Sequence, residues 1–223
     1  MATEPHIWGG EQQDGDRFAW VLAGAQTGPD RRFDIDLAEF RSAAVVPTKG
    51  ALLRDWLLIV PRQPCLAVAR MAARQRLDIL RCSEIVAQVV TRVAGSAVVF
   101  EHGASEFGAP SSCGVDQAHL HVVGVPHSFV DWVVQGSGDH SWVAANRDDP
   151  WIDVAPGSDY LLVLAERGAW TAMVEVPTSQ YLRKRIAAFI EQPEEWDYRK
   201  YPNAANAKQT AKRFSRAFRS DPA

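Results

Sequence analysis

A long stretch without glycine or proline, from Cys65 to Ala94, limits the folds open to this chain more than any other feature. We predict that most of it is one helix ending at Gly95, because apolar residues recur at roughly helical spacing at Leu77, Leu80, Ile85, Val89 and Val93. Apolar runs of strand length lie on both sides of it, at Ser42 to Val46, Trp56 to Val60 and Ser96 to Phe100. The helix therefore has strands to pack against.

The second half of the chain predicts more strands and then helices. Tyr160 to Leu164 and Ala172 to Val176 are predicted as a strand pair, and Ser179 is a good N-cap for a helix through Ile190. The tail from Asn203 to Arg219 predicts an amphipathic helix with one apolar face, formed by Ala207, Ala211, Phe214 and Phe218. This order of elements predicts an α+β fold with a mostly antiparallel sheet, a long helix and a C-terminal helical extension.

Composition and pattern together suggest how the chain is organised. Hydrophobic residues make up 47% of it and charged residues 23%, which is typical of a folded protein and excludes a disordered one. We predict an N-terminal lead-in over residues 1–41 and a core over residues 42–130. Residues 131–223 then form an extension that packs on the core.

Charge and cysteine content exclude several functional classes. A net charge of −3 gives no global basic field to hold nucleic acid. Three cysteines without a CxxC motif argue against a disulfide scaffold or a four-cysteine zinc ribbon and favour a reducing cytoplasm. The polar, acidic N-terminus is not typical of a signal peptide, and the longest apolar run, Trp56 to Val60, is too short to span a membrane.

One segment, Gly114 to Val125, combines strand alternation with reactive side chains. On a strand, Gln117, His119 and His121 share one face, and the intervening residues Ala118, Leu120 and Val122 are all apolar. A loop rich in glycine and serine, Glu101 to Cys113, precedes it. Two imidazoles and an amide on one face predict a functional site.

Two chemistries fit a pair of histidines on a strand. One is metal binding of the cupin type, but the positions where its acidic ligand belongs hold Val125 and Pro126, and Asp131 is too distant. The other is attack on phosphorus by one imidazole, while its neighbour and loop N–H groups hold the phosphate oxygens. We favour the phosphate chemistry and expect neither a metal nor another cofactor.

The segment CGVDQAHLHVV resembles the signature strand of the histidine triad (HIT) superfamily, whose pattern is His-x-His-x-His followed by apolar residues. VVFEHG and WLLIVPR are similar to two more segments of that family, in the expected order. The C-terminal part, with SQYLRKRIAAFI and EEWDYRKYPNAANAKQT, resembles longer bacterial members related to the diadenosine tetraphosphate phosphorylase and galactose-1-phosphate uridylyltransferase branches.

The resemblance implies roles for individual residues. His119 matches the histidine that attacks the α-phosphorus of a nucleotide, and His121 matches the one that contacts phosphate. Gln117 stands where the family has its first histidine, and we expect Gln117→His to be tolerated. His102 is either an acid for the leaving group or a loop histidine in solvent. Candidates for binding the nucleotide or its phosphates in the loop are Ser111, Ser112 and Cys113.

The resulting hypothesis is a homodimeric, cytoplasmic nucleotide hydrolase with a covalent nucleotidyl-histidine intermediate. Its partner is a nucleotide or nucleotide-conjugate substrate, and we expect no membrane or nucleic acid partner. A nucleotidyltransferase or phosphorylase with the same intermediate stays open, as does a catalytically weakened nucleotide-binding protein.

Overall fold

A computed structural model of the chain describes residues 17–112, 115–136 and 139–220. The described residues form a seven-stranded sheet in the order β1-β2-β4-β3-β6-β7-β5, and every neighbouring pair is antiparallel. The strands are Ala43–Pro47 (β1), Trp56–Pro61 (β2), Val98–Gly103 (β3), Leu120–Val123 (β4), Val143–Ala144 (β5), Tyr160–Ala165 (β6) and Gly168–Met173 (β7). The predicted α+β class with a mostly antiparallel sheet is confirmed.

The helices lie on both faces of this sheet. They are Ala19–Leu22 (α1), Ala73–Ala94 (α2), Ser128–Gly136 (α3), Tyr181–Phe189 (α4) and Ala204–Ser220 (α5). The long helix α2 ends at Gly95, whose φ of 89° is left-handed, and α5 is the predicted C-terminal helix. Within the described residues, no helix is long and apolar enough to cross a membrane.

Strand alternation divides the buried side chains between the two faces. One face packs against α2 and α5 and contains Leu57, Ile59, Leu120, Val122, Phe214 and Phe218. The opposite face carries two separate apolar clusters. One includes Trp56 and Phe100 and packs against α3 and α4; the other includes Phe18, Val21 and Leu58 and packs against α1. The residues between these two clusters are the histidines of the sequence motif.

The structure sets the nature of one N-terminal segment and the start of the long helix. Arg17 to Ala23 has strand-like composition but holds the short helix α1, which covers the sheet face with Phe18 and Val21. The long helix begins at Ala73, because hydrogen bonds hold the chain before it in another conformation. Cys65 N donates to Gln117 Oε1 at 3.3 Å, and Val68 N donates to Glu101 Oε1 at 2.8 Å.

Two predictions near the motif also need correction. Glu101 and His102 were placed in a loop, but β3 runs on to Gly103 and pairs with β6. The strand predicted from Gly114 is confined to Leu120–Val123, because Ala118 N bonds to Cys65 O at 2.7 Å instead of to a strand. The helix α3 was not predicted. The division of the chain at residues 41 and 130 stays a prediction.

Candidate active site

The two motif histidines lie at the centre of the sheet. His121 is in β4, opposite Leu58 of β2 and Phe100 of β3, and its ring stacks on that of Phe100 with centroids 4.4 Å apart. His119 comes directly before β4, and its ring centroid is 5.0 Å from that of His121. Strand alternation thus places both imidazoles on one face, as the sequence pattern predicted.

A third histidine, His102, joins this pair from the neighbouring strand. The antiparallel register that sets Phe100 opposite His121 continues toward His102 opposite His119. The ring centroids of His102 and His121 are 6.3 Å apart. His102 is buried in β3 and is therefore not a loop histidine in solvent.

For His121 and His102, the tautomer is set by a hydrogen-bond partner that can only donate. Trp56 Nε1 donates to His121 Nδ1 at 2.9 Å, and Leu182 N donates to His102 Nε2 at 3.0 Å. Each of these neutral rings therefore carries its proton on the other nitrogen. Among the described residues, His121 Nε2 and His102 Nδ1 are buried without a hydrogen-bond partner. Each ring thus keeps an N–H group that no described residue accepts from.

His119 has the opposite arrangement. Its Nδ1 lies 2.8 Å from the main-chain oxygen of Gln117, which can only accept, so Nδ1 carries the proton. The lone pair is then on Nε2, and the side chain is half-buried rather than enclosed. The cluster therefore combines one imidazole lone pair with two imidazole N–H donors.

Burial keeps all three rings neutral near pH 7. Burial, together with the proximity of the titratable His119 and of Arg183, lowers the pKa of His102 to about 3. Burial lowers the pKa of His119 and holds that of His121 well below its usual range. Nearby Arg183 adds to the lowering in each case. A neutral His119 is the protonation state that a nucleophile requires.

A small cavity of about 40 Å³ opens beside His119 and His121. Three cationic side chains line it, Arg17, Lys49 and Arg183, and no Asp or Glu is among the described residues that do so. Its volume is too small for a whole nucleotide, so a nucleotide could place only its phosphate end there. A larger groove of about 670 Å³ lies on the other face of the sheet, between α2 and the β6–β7 hairpin, away from the histidine cluster.

The cationic residues were not predicted as part of a site. Arg183 of α4 is buried and donates to Gly50 O at 2.7 Å and Trp196 O at 3.1 Å. Arg17 pairs with Asp34 at 3.1 Å. These residues are far from the motif in sequence and carry no pattern of their own, so only the fold identifies them.

Gln117 contributes to the site through its main chain. Its side-chain amide points away from His119, and Nε2 donates to Pro61 O at 3.1 Å and Gln63 O at 3.2 Å. Oε1 accepts from Cys65 N at 3.3 Å. The side chain therefore fixes the segment after β2, and the main-chain oxygen fixes the ring of His119.

Of the loop residues suggested as phosphate ligands, the structure describes the side chain of Ser111. The hydroxyl of Ser111 donates to the Asp159 carboxylate, which also accepts from Ser105 N at 2.6 Å. Ser112 ends a short 3-10 turn over Pro110–Ser112, and Cys113 lies outside the described residues. Their assignment to phosphate binding stays a prediction.

The described residues contain no group of three or more His, Cys, Asp or Glu side chains placed to hold a metal ion. In the histidine cluster, the unpartnered ring nitrogens of His102 and His121 carry protons, whereas a metal ion needs a lone pair from each ligand. The cluster thus favours an anion over a cation.

Comparison with known proteins gives little further identification. No family model matches the chain, and no curated protein matches it. Among solved structures, the crystal structure of yeast Ap4A phosphorylase Apa2 is similar, with 10% sequence identity and a TM-score of 0.40 over 77% of each chain. A likeness of this size does not assign a function.

Proposed function

We propose that this protein is an enzyme that cleaves a phosphoanhydride or phosphoester bond at the α-phosphorus of a nucleotide, with His119 as the covalent nucleophile. The observation that carries the proposal is the set of three tautomers. One half-buried imidazole keeps a lone pair on Nε2, and its two neighbours keep N–H groups free for acceptor oxygens.

The reaction begins when His119 Nε2 attacks phosphorus in line with the leaving oxygen. A P–N bond forms, the bond from phosphorus to that oxygen breaks, and the leaving group departs with its electron pair. The hydrogen bond from Nδ1–H to Gln117 O stabilises the positive charge that the ring then carries. His121 Nε2–H is placed beside the same cavity to donate to a non-bridging oxygen.

The second step returns the free enzyme. A water molecule attacks phosphorus, the P–N bond breaks, and its electron pair returns to His119 Nε2 while the proton of the water passes to solvent. We favour water as the acceptor. A phosphorylase or nucleotidyltransferase would use the same intermediate with phosphate or a phosphate ester as acceptor.

Two other functions receive less support. A metal-dependent cupin-type enzyme would need lone pairs where His102 and His121 offer N–H groups. A binding protein without turnover would not need an imidazole lone pair at the cavity, where His119 presents one. Membership of the HIT superfamily, a homodimeric state and a cytoplasmic location belong to the proposal and follow from the sequence resemblance and composition.

The test is a comparison of His119→Ala with the wild type and with His127→Ala, whose histidine lies beside Glu166 and away from the cluster. We expect His119→Ala to reduce turnover of nucleotide substrates at least 10³-fold while thermal stability changes little. Rapid denaturation of the wild type during turnover should trap a nucleotide on His119. An adduct on another residue, or near-normal turnover by His119→Ala, would contradict the proposal.

Isotope labelling of the products identifies the acceptor. Turnover in ¹⁸O-labelled water places the label on the nucleotide product of a hydrolase, whereas added phosphate or sugar phosphate appears in the product of a transferase. Dialysis against a chelator should leave the rate unchanged. Activity that disappears with a transition metal and returns with it would support the cupin-type function instead.

A further inference from the structure

The connection between β1 and β2 brings two unused polar groups to the cavity beside the histidines. Thr48 and Lys49 both line this cavity with His119 and His121. Thr48 is only 3% exposed, and within the described part of the chain its Oγ1 has no hydrogen-bond partner. Burial of an unpaired hydroxyl destabilises a fold, so a group held in this way is expected to meet a ligand.

Lys49 is the second unused group. It is half-buried, and no hydrogen bond or ion pair joins its ammonium group to another described residue. The neighbouring cations differ in this respect, because Arg17 pairs with Asp34 and Arg183 donates to main-chain oxygens. Lys49 therefore brings a full positive charge that its described neighbours leave available to an anion.

The turn that carries these residues is held in place. Gly50 N donates to Pro202 O at 2.7 Å, and Gly50 O accepts from Arg183 Nη2 at 2.7 Å. Thr48 N bonds to Trp56 O at 3.3 Å, and Thr48 O accepts from Ala51 N at the same distance. Fixed main-chain contacts of this kind give a binding subsite its geometry before the ligand arrives.

We propose that Thr48 and Lys49 form a subsite for a second phosphate of the substrate, next to the phosphate that His119 attacks. This rests on the proposed function and deepens it, because the N–H donor of His121 already serves the attacked phosphate. A hydroxyl and an ammonium beyond it fit the next phosphate of a phosphoanhydride. The substrate class is then a nucleoside diphosphate, a nucleoside polyphosphate or a conjugate of one, and not a simple phosphodiester.

Binding of inorganic pyrophosphate and orthophosphate tests the subsite without reference to activity. By titration calorimetry, the wild type should bind pyrophosphate at least tenfold more tightly than orthophosphate. Thr48→Val and Lys49→Met should each remove most of that preference, and Thr48→Ser and Lys49→Arg should restore part of it. Lys212→Met, which removes an exposed lysine of α5, serves as the matched control. Equal losses for both anions, or no loss for either, would overturn the subsite.

Turnover then connects the subsite with the reaction. We expect Lys49→Met to lower kcat/KM for a nucleoside diphosphate conjugate at least tenfold more than for the p-nitrophenyl ester of the same nucleoside monophosphate. Equal losses of kcat/KM on the two substrates would show that Lys49 does not bind a second phosphate. If the wild type cleaves neither substrate, the proposed function fails, while the pyrophosphate titration still decides the subsite.

Discussion

Gln117 shows how a residue beside the nucleophile can act without touching the substrate. Its amide bonds to three main-chain groups at and just after the end of β2, in Pro61, Gln63 and Cys65. Its main-chain oxygen sets the tautomer of His119. The side chain therefore anchors the segment just before β4 to the end of β2. The main chain of that segment then orients the ring of His119.

These contacts make Gln117→His costly, whereas the sequence pattern alone suggested that it would be tolerated. An imidazole cannot donate twice and accept once in the same geometry, so at least one buried main-chain group loses its partner. We expect a loss of about 1–3 kcal/mol in the free energy of unfolding and a lower kcat. Chemical denaturation and steady-state kinetics measure both. Unchanged stability together with higher nucleotide hydrolysis would support tolerance instead.

Trp56 controls the tautomer of His121. Trp56→Phe keeps an aromatic ring against Phe100 but removes the N–H group that donates to His121 Nδ1. The proton of His121 is then free to move to Nδ1, and the donor toward the cavity is lost. We expect kcat to fall by about one to two orders of magnitude with little change in KM, because one transition-state donor is lost.

Nitrogen NMR of the imidazoles gives this prediction a direct readout. The wild type should show His121 protonated at Nε2, and Trp56→Phe should show a mixture of tautomers. Trp132→Phe removes an indole from the α3 side of the molecule and should alter neither the His121 signal nor kcat. A His121 signal that stays at Nε2–H in Trp56→Phe would contradict this role.

At the scale of elements, the long helix and part of the sheet were predictable, and the neighbours of the site were not. Apolar alternation and the long stretch without glycine or proline are local signals, and they identified β1, β2, β6 and α2 closely. His102 was placed in a loop because Gly103 follows it, yet pairing with β6 keeps it in a strand. Lys49 and Arg183 reach the cavity only through the packing of a turn against α4, which no local pattern encodes.

The turn after β1 offers an element-scale prediction. Gly50 has a φ of 74°, and a Cβ there would lie 2.3 Å from Tyr198 Cβ. Gly50→Ala thus combines left-handed backbone strain with a clash. We expect it to lower the free energy of unfolding by about 2 kcal/mol or more. It should also weaken pyrophosphate binding by moving Thr48 and Lys49.

Gly157→Ala is the matched control, since Gly157 has a φ of 75° but no atom within 4 Å of the added Cβ. Gly157→Ala has the backbone strain without the clash, so its free energy of unfolding should fall by only about 1 kcal/mol. It should keep wild-type anion binding. Thermal melts and calorimetry compare the two variants. Equal effects in both would mean that the turn does not depend on the contact with Tyr198.

At the scale of the whole molecule, the histidines occupy the gap between two apolar clusters on one face of the sheet. One cluster includes Trp56 and Phe100, and the other includes Phe18 and Leu58. The apolar walls bury the rings and keep them neutral, so the same packing that stabilises the fold prepares the nucleophile. The cost is that acid, by charging these rings, favours the unfolded chain.

The sign of this pH dependence follows from the direction of the pKa shifts. The pKa of each of the three histidines is lower in the folded protein than in the unfolded chain, where it is about 6.5. Between the two values the unfolded chain binds more protons, so this part of the stability is complete above about pH 6.5 and falls with acidification. Each such histidine contributes a slope of up to about 1.4 kcal/mol per pH unit.

His102→Gln isolates one of these contributions. The glutamine oxygen can still accept from Leu182 N, which donates to His102 Nε2 in the wild type, but the side chain no longer titrates. Because the pKa of His102 is about 3 in the folded protein, its proton uptake on unfolding extends over the whole range from pH 6 to pH 4. We expect chemical denaturation across that range to give a slope for His102→Gln that is smaller than the wild-type slope by about 1.4 kcal/mol per pH unit. Parallel slopes would mean that His102 takes up its proton without unfolding, and the ring would then not be held neutral by the apolar walls.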